Sequence, residues 1–83
     1  MTDTDGERAG FARDMFNLRV NTLGVTQRDF ADMFGLSVGQ VKDQEQGRAW
    51  PTRSFKVLVA AMELNPRLIA RAARLAAEKW PNE

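Results

Sequence analysis

Glycines and prolines divide this 83-residue chain into short pieces, because Gly24, Gly35, Gly47, Pro51, Pro66 and Pro81 leave no room for a long element after the first. Glycine ends helices by taking a left-handed backbone at their C-termini, and proline cannot continue one because it lacks the N–H and clashes with the preceding turn. Between the breakers apolar residues recur every three or four positions, and no piece alternates apolar with polar residues. The chain therefore predicts an all-α domain without strands, internal repeats or low-complexity runs.

The first helix is expected from about Glu7 or Arg8 to Leu23, with Phe11, Met15, Leu18 and Thr22 in register and Phe16, Val20 and Leu23 widening the stripe. Thr26 caps a second helix with Phe30, Ala31, Met33 and Phe34 as its apolar face, and Gly35 stops it. Ser37 caps a third, Val38 to Gln46, closed by Gly47. Thr52 caps a fourth, with Phe55, Val57, Leu58, Val59, Ala61, Met62 and Leu64 facing inward until Asn65-Pro66 breaks it. The last helix, Pro66 to about Lys79, puts Leu68, Ile69, Ala72, Ala73, Leu75 and Ala76 on one broad side and Arg67, Arg71, Arg74 and Glu78 opposite, toward solvent. Its apolar side completes the monomer core or forms a two-fold interface, with Trp80 as a candidate anchor.

The third helix stands apart. Apart from Val41, and Leu36 just before it, its residues Val38, Gly39, Gln40, Lys42, Asp43, Gln44, Glu45 and Gln46 leave it almost without an apolar stripe. Packing alone does not account for that composition, so its outer face should meet something polar.

Composition narrows the function. The chain has no Cys and no His, which removes disulfides, thiol nucleophiles, imidazole bases and soft-metal sites, so no catalytic residue, metal or cofactor is expected and an enzyme is disfavoured. No apolar run approaches the roughly 20 residues of a membrane span, and a cytoplasmic protein with no membrane partner is expected. The 12 Lys and Arg against 11 Asp and Glu give a net charge of +1. That figure hides an acidic segment, residues 1–6, ahead of a domain over 7–80 and a short tail at 81–83; residues 8–79 hold all 12 bases against seven acids, a net +5. A basic domain is compatible with a polyanionic partner. A chain this small buries only about 60% of its unfolded surface, which makes dimerisation plausible.

Residues from about 26 to 46 read as a helix-turn-helix: Ala31 is small where two helices would touch, Gly35 takes the bend, Leu36 plugs the corner and Val41 anchors the second helix from beneath. The segment resembles the phage-repressor and Cro type of helix-turn-helix, the XRE family. The matching residues are Thr26-Gln27, Phe30-Ala31, Gly35-Leu36-Ser37, Val41 and Glu45-Gln46-Gly47-Arg48 followed by Pro51, and the resemblance covers about residues 15–73. It is nearest to short stand-alone regulators and antitoxin-like proteins, which implies a compact five-helix, lambda-repressor-like domain. Two departures stand out. Gln44 occupies a position that is usually large and apolar, where Trp50 is a candidate to fold back over the same space; and Leu18 to Gly24 is one residue longer than the common pattern.

The resemblance implies that the third helix enters the major groove of double-stranded DNA, with Val38, Gly39 and Asp43 at base-reading positions and Gln40 and Lys42 beside them. Val38 suits a thymine methyl, Gly39 a close approach and Asp43 a cytosine amino group. Phosphate contacts are expected from Thr26, Gln27, Ser37, Gln46, Arg48 and Arg53, with Lys56 equally suited to solvent, and Thr26 and Ser37 are helix caps first. Glu45 opposes DNA by its charge and is assigned a structural role, pairing with Arg19 or Arg48. Phe11, Phe16, Phe30, Phe34 and Phe55 are read as core residues. For each polar residue the competing reading is an ordinary solvated surface.

These features imply a sequence-specific DNA-binding regulator, a homodimeric autorepressor on a palindromic operator. One alternative is an antitoxin-like protein that also neutralises a toxin partner; another is a protein-interaction module that has lost DNA binding.

Overall fold

The computed structural model describes residues 4–81. Its element order is α1 (Thr4–Asn17), a π-helical segment (Leu18–Leu23), α2 (Gln27–Phe34), α3 (Val38–Glu45), α4 (Arg53–Leu64) and α5 (Pro66–Lys79). The described residues contain no strand, and no helix among them is long and apolar enough to cross a membrane.

Local chemistry sets most of these boundaries. Thr26, Ser37 and Thr52 accept from the backbone N–H three residues on, at Asp29, Gln40 and Phe55, and Asn65 does the same for Leu68 ahead of Pro66. Each cap satisfies a donor that the first helical turn leaves unpaired, worth about 1 kcal/mol. Gly35 (φ 71°) and Gly47 (φ 69°) take the left-handed conformation that closes α2 and α3, and after Gly47 the Arg48 N–H bonds back to the Asp43 carbonyl at 2.9 Å.

The core gathers Met15 and Leu18 from the first helix, Phe30, Ala31 and Phe34 from α2, Val41 from α3, and Phe55, Val59 and Met62 from α4. Phe30 and Phe34 stack tilted at 4.9 Å between centroids, and Phe11 meets Phe55 at 5.8 Å.

Several expectations change. Helix α1 begins at Thr4, so residues 4–6 of the expected acidic N-terminal segment are its first turn, and the rest of that segment, like Asn82 and Glu83, lies outside the described residues. The helix still reaches Leu23, but its last six residues are π-helical. A π turn takes in one more residue than an α turn, which widens the helix over Leu18–Leu23 ahead of the left-handed Gly24. Phe16 and Val20 are exposed, and the Arg19 guanidinium lies over the Phe16 ring at 5.5 Å. Val57 and Leu64, expected inside, also face solvent, because Phe55, Val59 and Met62 already supply one complete inward stripe of α4.

Helix α5 departs most. No residue of it is buried, and Ile69 and Ala70 are the residues it packs against the core. Leu68, Ala72, Leu75 and Ala76 face outward. The broad apolar side therefore splits in two, with Ile69 on the core half and Leu68 and Leu75 on the solvent half.

Candidate nucleic-acid interface

Helices α2 and α3 are joined by Gly35, Leu36 and Ser37 alone. The turn is tight because Gly35 and Leu36 both donate to the Ala31 carbonyl, while Ser37 caps α3. Ala31 is buried at the bend and Leu36 packs on the core beneath it. Val41 is fully buried and pins α3 from its inner side.

A second restraint holds α3 from behind. Arg19 forms a two-pronged ion pair with Glu45, Nε to Oε2 at 2.6 Å and Nη2 to Oε1 at 2.9 Å. Both side chains are largely withdrawn from water, at 11% and 4% exposure. The remaining Arg19 nitrogen, Nη1, donates to the Val25 carbonyl at 2.9 Å, and the Arg19 carbonyl accepts from Gly24 and Val25. Gln27 Nε2 also donates to Glu45 Oε1, at 3.1 Å. One arginine thus ties the π segment, the entry to α2 and the last turn of α3 together. Hydrogen bonding to Glu45 raises the Arg19 pKa above the ordinary arginine value, burial opposes this, and the Glu45 charge adds to the rise.

With Val41 and Gln44 buried and Glu45 turned to Arg19, the opposite arc of α3 presents Gly39, Gln40, Lys42, Asp43 and, just past its end, Gln46, all exposed. These are residues the sequence singles out for base or phosphate contact, and they share one face about two turns long. Nothing among the described residues crowds Gly39: beyond its chain neighbours and the backbone of α3 itself, no atom lies within 4 Å of where a Cβ would go. Arg48 flanks the face, 3.8 Å from Asp43, in an exposed and therefore weak pair. Arg53 is exposed at the first position of α4.

Other candidates have additional duties. Val38 is half-buried against the core, which limits its reach outward. The Thr26 and Ser37 oxygens accept cap bonds, leaving their hydroxyl hydrogens available. Gln27 directs its amide toward Glu45, and the second amide hydrogen remains available for another acceptor. Gln44 is itself buried at 7% exposure, and its Oε1 has no hydrogen-bond partner among the described residues. Trp50 stays half-exposed under the Arg8 guanidinium, 4.8 Å from the ring centre, against the start of α1.

Sequence reasoning named Glu45 and its two possible partners but gave Arg19 no role of its own. The signal was present in outline, as an arginine near the end of the first helix and an acid that opposes DNA. What was missing was the π segment that sets where the arginine points. No family model, curated protein or solved structure matches this chain.

Proposed function

We propose that this protein is a sequence-specific DNA-binding transcription regulator, a homodimeric repressor acting on a palindromic operator with α3 as its recognition helix. The observation that carries this reading is the polar outer face of α3, tied from behind by the Arg19–Glu45 pair and exposed among the described residues. The resemblance of residues 15–73 to the phage-repressor and Cro family supports it.

In this reading the capped turn aims the first half of α3 into the major groove. Gly39 permits close backbone approach, Gln40 and Lys42 donate to base-edge acceptors, and Asp43 accepts from a cytosine amino group. Arg48, Arg53 and Gln46 hold the phosphates on one flank; the Thr26 and Ser37 hydroxyls and the second hydrogen of the Gln27 amide serve the other. Two copies present their α3 helices about 34 Å apart, one turn of the duplex. With no cofactor invoked, regulation follows protein abundance, and the natural operator is the protein's own promoter.

The charge-reversed variant Arg48→Glu/Arg53→Glu tests this. Both side chains are exposed and outside the core, so the variant should keep the wild-type circular dichroism spectrum. Operator affinity should fall by more than about 100-fold and the salt slope should flatten by about two contacts. Undiminished affinity would refute the assignment.

A further inference from the structure

An open groove of about 650 Å3 runs along α5, on a part of the molecule that the α3 face does not use. Leu23, Met33 and Leu68 line it together with Arg67, Arg71 and Arg74. The three arginines recur at i, i+4 and i+7, are all exposed, and form no ion pair among the described residues. Leu68 is 53% exposed and Leu75, two turns on, is 54% exposed, so an apolar ridge runs beside the row of positive charge.

We propose that this groove binds an acidic amphipathic helix of a partner protein. Like charges one turn apart repel, and large apolar side chains in water gain by being covered; one occupant with carboxylates beside apolar anchors answers both. Apolar residues of the partner at helical spacing pack on Leu23, Met33 and Leu68, as in helix-in-groove recognition. Its carboxylates pair with Arg67, Arg71 and Arg74, where guanidinium geometry favours two-pronged contacts. A second copy of this chain fits less well, because a two-fold axis here would set one row of arginines against the other. DNA fits less well because the apolar lining offers phosphates nothing, and α2, rather than α5, packs beside α3. The inference stands independently of the DNA-binding reading.

The test uses the full chain, isotopically labelled for NMR, and a synthetic peptide of about four helical turns with leucines at i, i+4 and i+7 and glutamates beside them. Control peptides replace the leucines with serine or the glutamates with lysine. Saturable binding that shifts the amides of Leu23, Met33, Leu68 and Arg71 is expected, with neither control binding. Arg67→Glu/Arg71→Glu/Arg74→Glu and, separately, Leu68→Asn should each weaken binding by about tenfold or more, while affinity for DNA is unchanged. The proposal is overturned by equal binding of the serine peptide, by undiminished binding to both variants, or by the absence of binding. It is equally overturned if the triple variant loses DNA affinity, which would assign the arginines to DNA, or changes its sedimentation, which would assign the groove to a second copy.

Discussion

Arg19 and Glu45, 26 residues apart, close a two-pronged ion pair that is almost wholly withdrawn from water and fixes the last turn of α3 to the end of the first helix. Removing one partner of such a pair leaves the other charge buried and uncompensated, at a cost of about 3 kcal/mol. Glu45→Ala should lose that much stability in urea denaturation. Replacing both residues with methionine should cost less than the two single changes added together, and a double-mutant cycle reads the difference.

The folded pKa of Arg19 lies above its unfolded value, so the stability it contributes is fully present below arginine's ordinary pKa and is lost only as pH rises through the higher folded value. Melting curves from neutral to about pH 10 should therefore show no step that disappears in Arg19→Met.

Gln44 buries an amide oxygen without a partner in the described structure. An unsatisfied buried acceptor costs about 1–3 kcal/mol, and leucine removes it at similar volume. Gln44→Leu should therefore stabilise the fold by about 1 kcal/mol, raising the melting temperature by roughly 4–8 °C for a domain of this size. An unchanged or lower melting temperature would show that Gln44 is satisfied in solution.

Gly39 separates stability from function. It lies in the first turn of α3 with open space where a Cβ would go, so Gly39→Ala should stabilise by up to about 0.5 kcal/mol, less than in a helix interior, through helix propensity alone. If α3 approaches base edges closely, the same methyl group should lower operator affinity by about tenfold. Thermal melting and DNA titration of one variant read both effects.

Ser37→Ala removes the acceptor for the Gln40 N–H and should cost about 1 kcal/mol, whereas Ser37→Gly should cost a few tenths. Amide hydrogen exchange should locate the loss in the first turn of α3.

What the sequence made legible is mostly local. Thr26, Ser37 and Thr52 cap where their side chains predict, and α5 spans the expected Pro66–Lys79, because a cap or a proline acts through neighbours a few residues away; the cap that Asn65 supplies to α5 was read only as a break. Which arc of a helix turns inward is a different matter. Val57, Leu64 and Phe16 are apolar yet exposed, and α5 turns Ile69 and Ala70 rather than Leu68 and Leu75 toward the core, because neighbouring helices decide among several apolar arcs. The exposed face of α3 followed from its missing stripe. The bond from Gln27 to Glu45 and the π-helical course of Leu18–Leu23 depend on contacts between distant segments, which spacing alone does not encode.

The most direct test of the central claim is a fluorescence-anisotropy titration of the full chain against DNA from upstream of its own coding sequence and a scrambled control, repeated over a range of salt. The account predicts a preference for the upstream DNA of about 10³ or more, with affinity falling steeply as salt rises. No binding to either DNA, even at low salt, would contradict it.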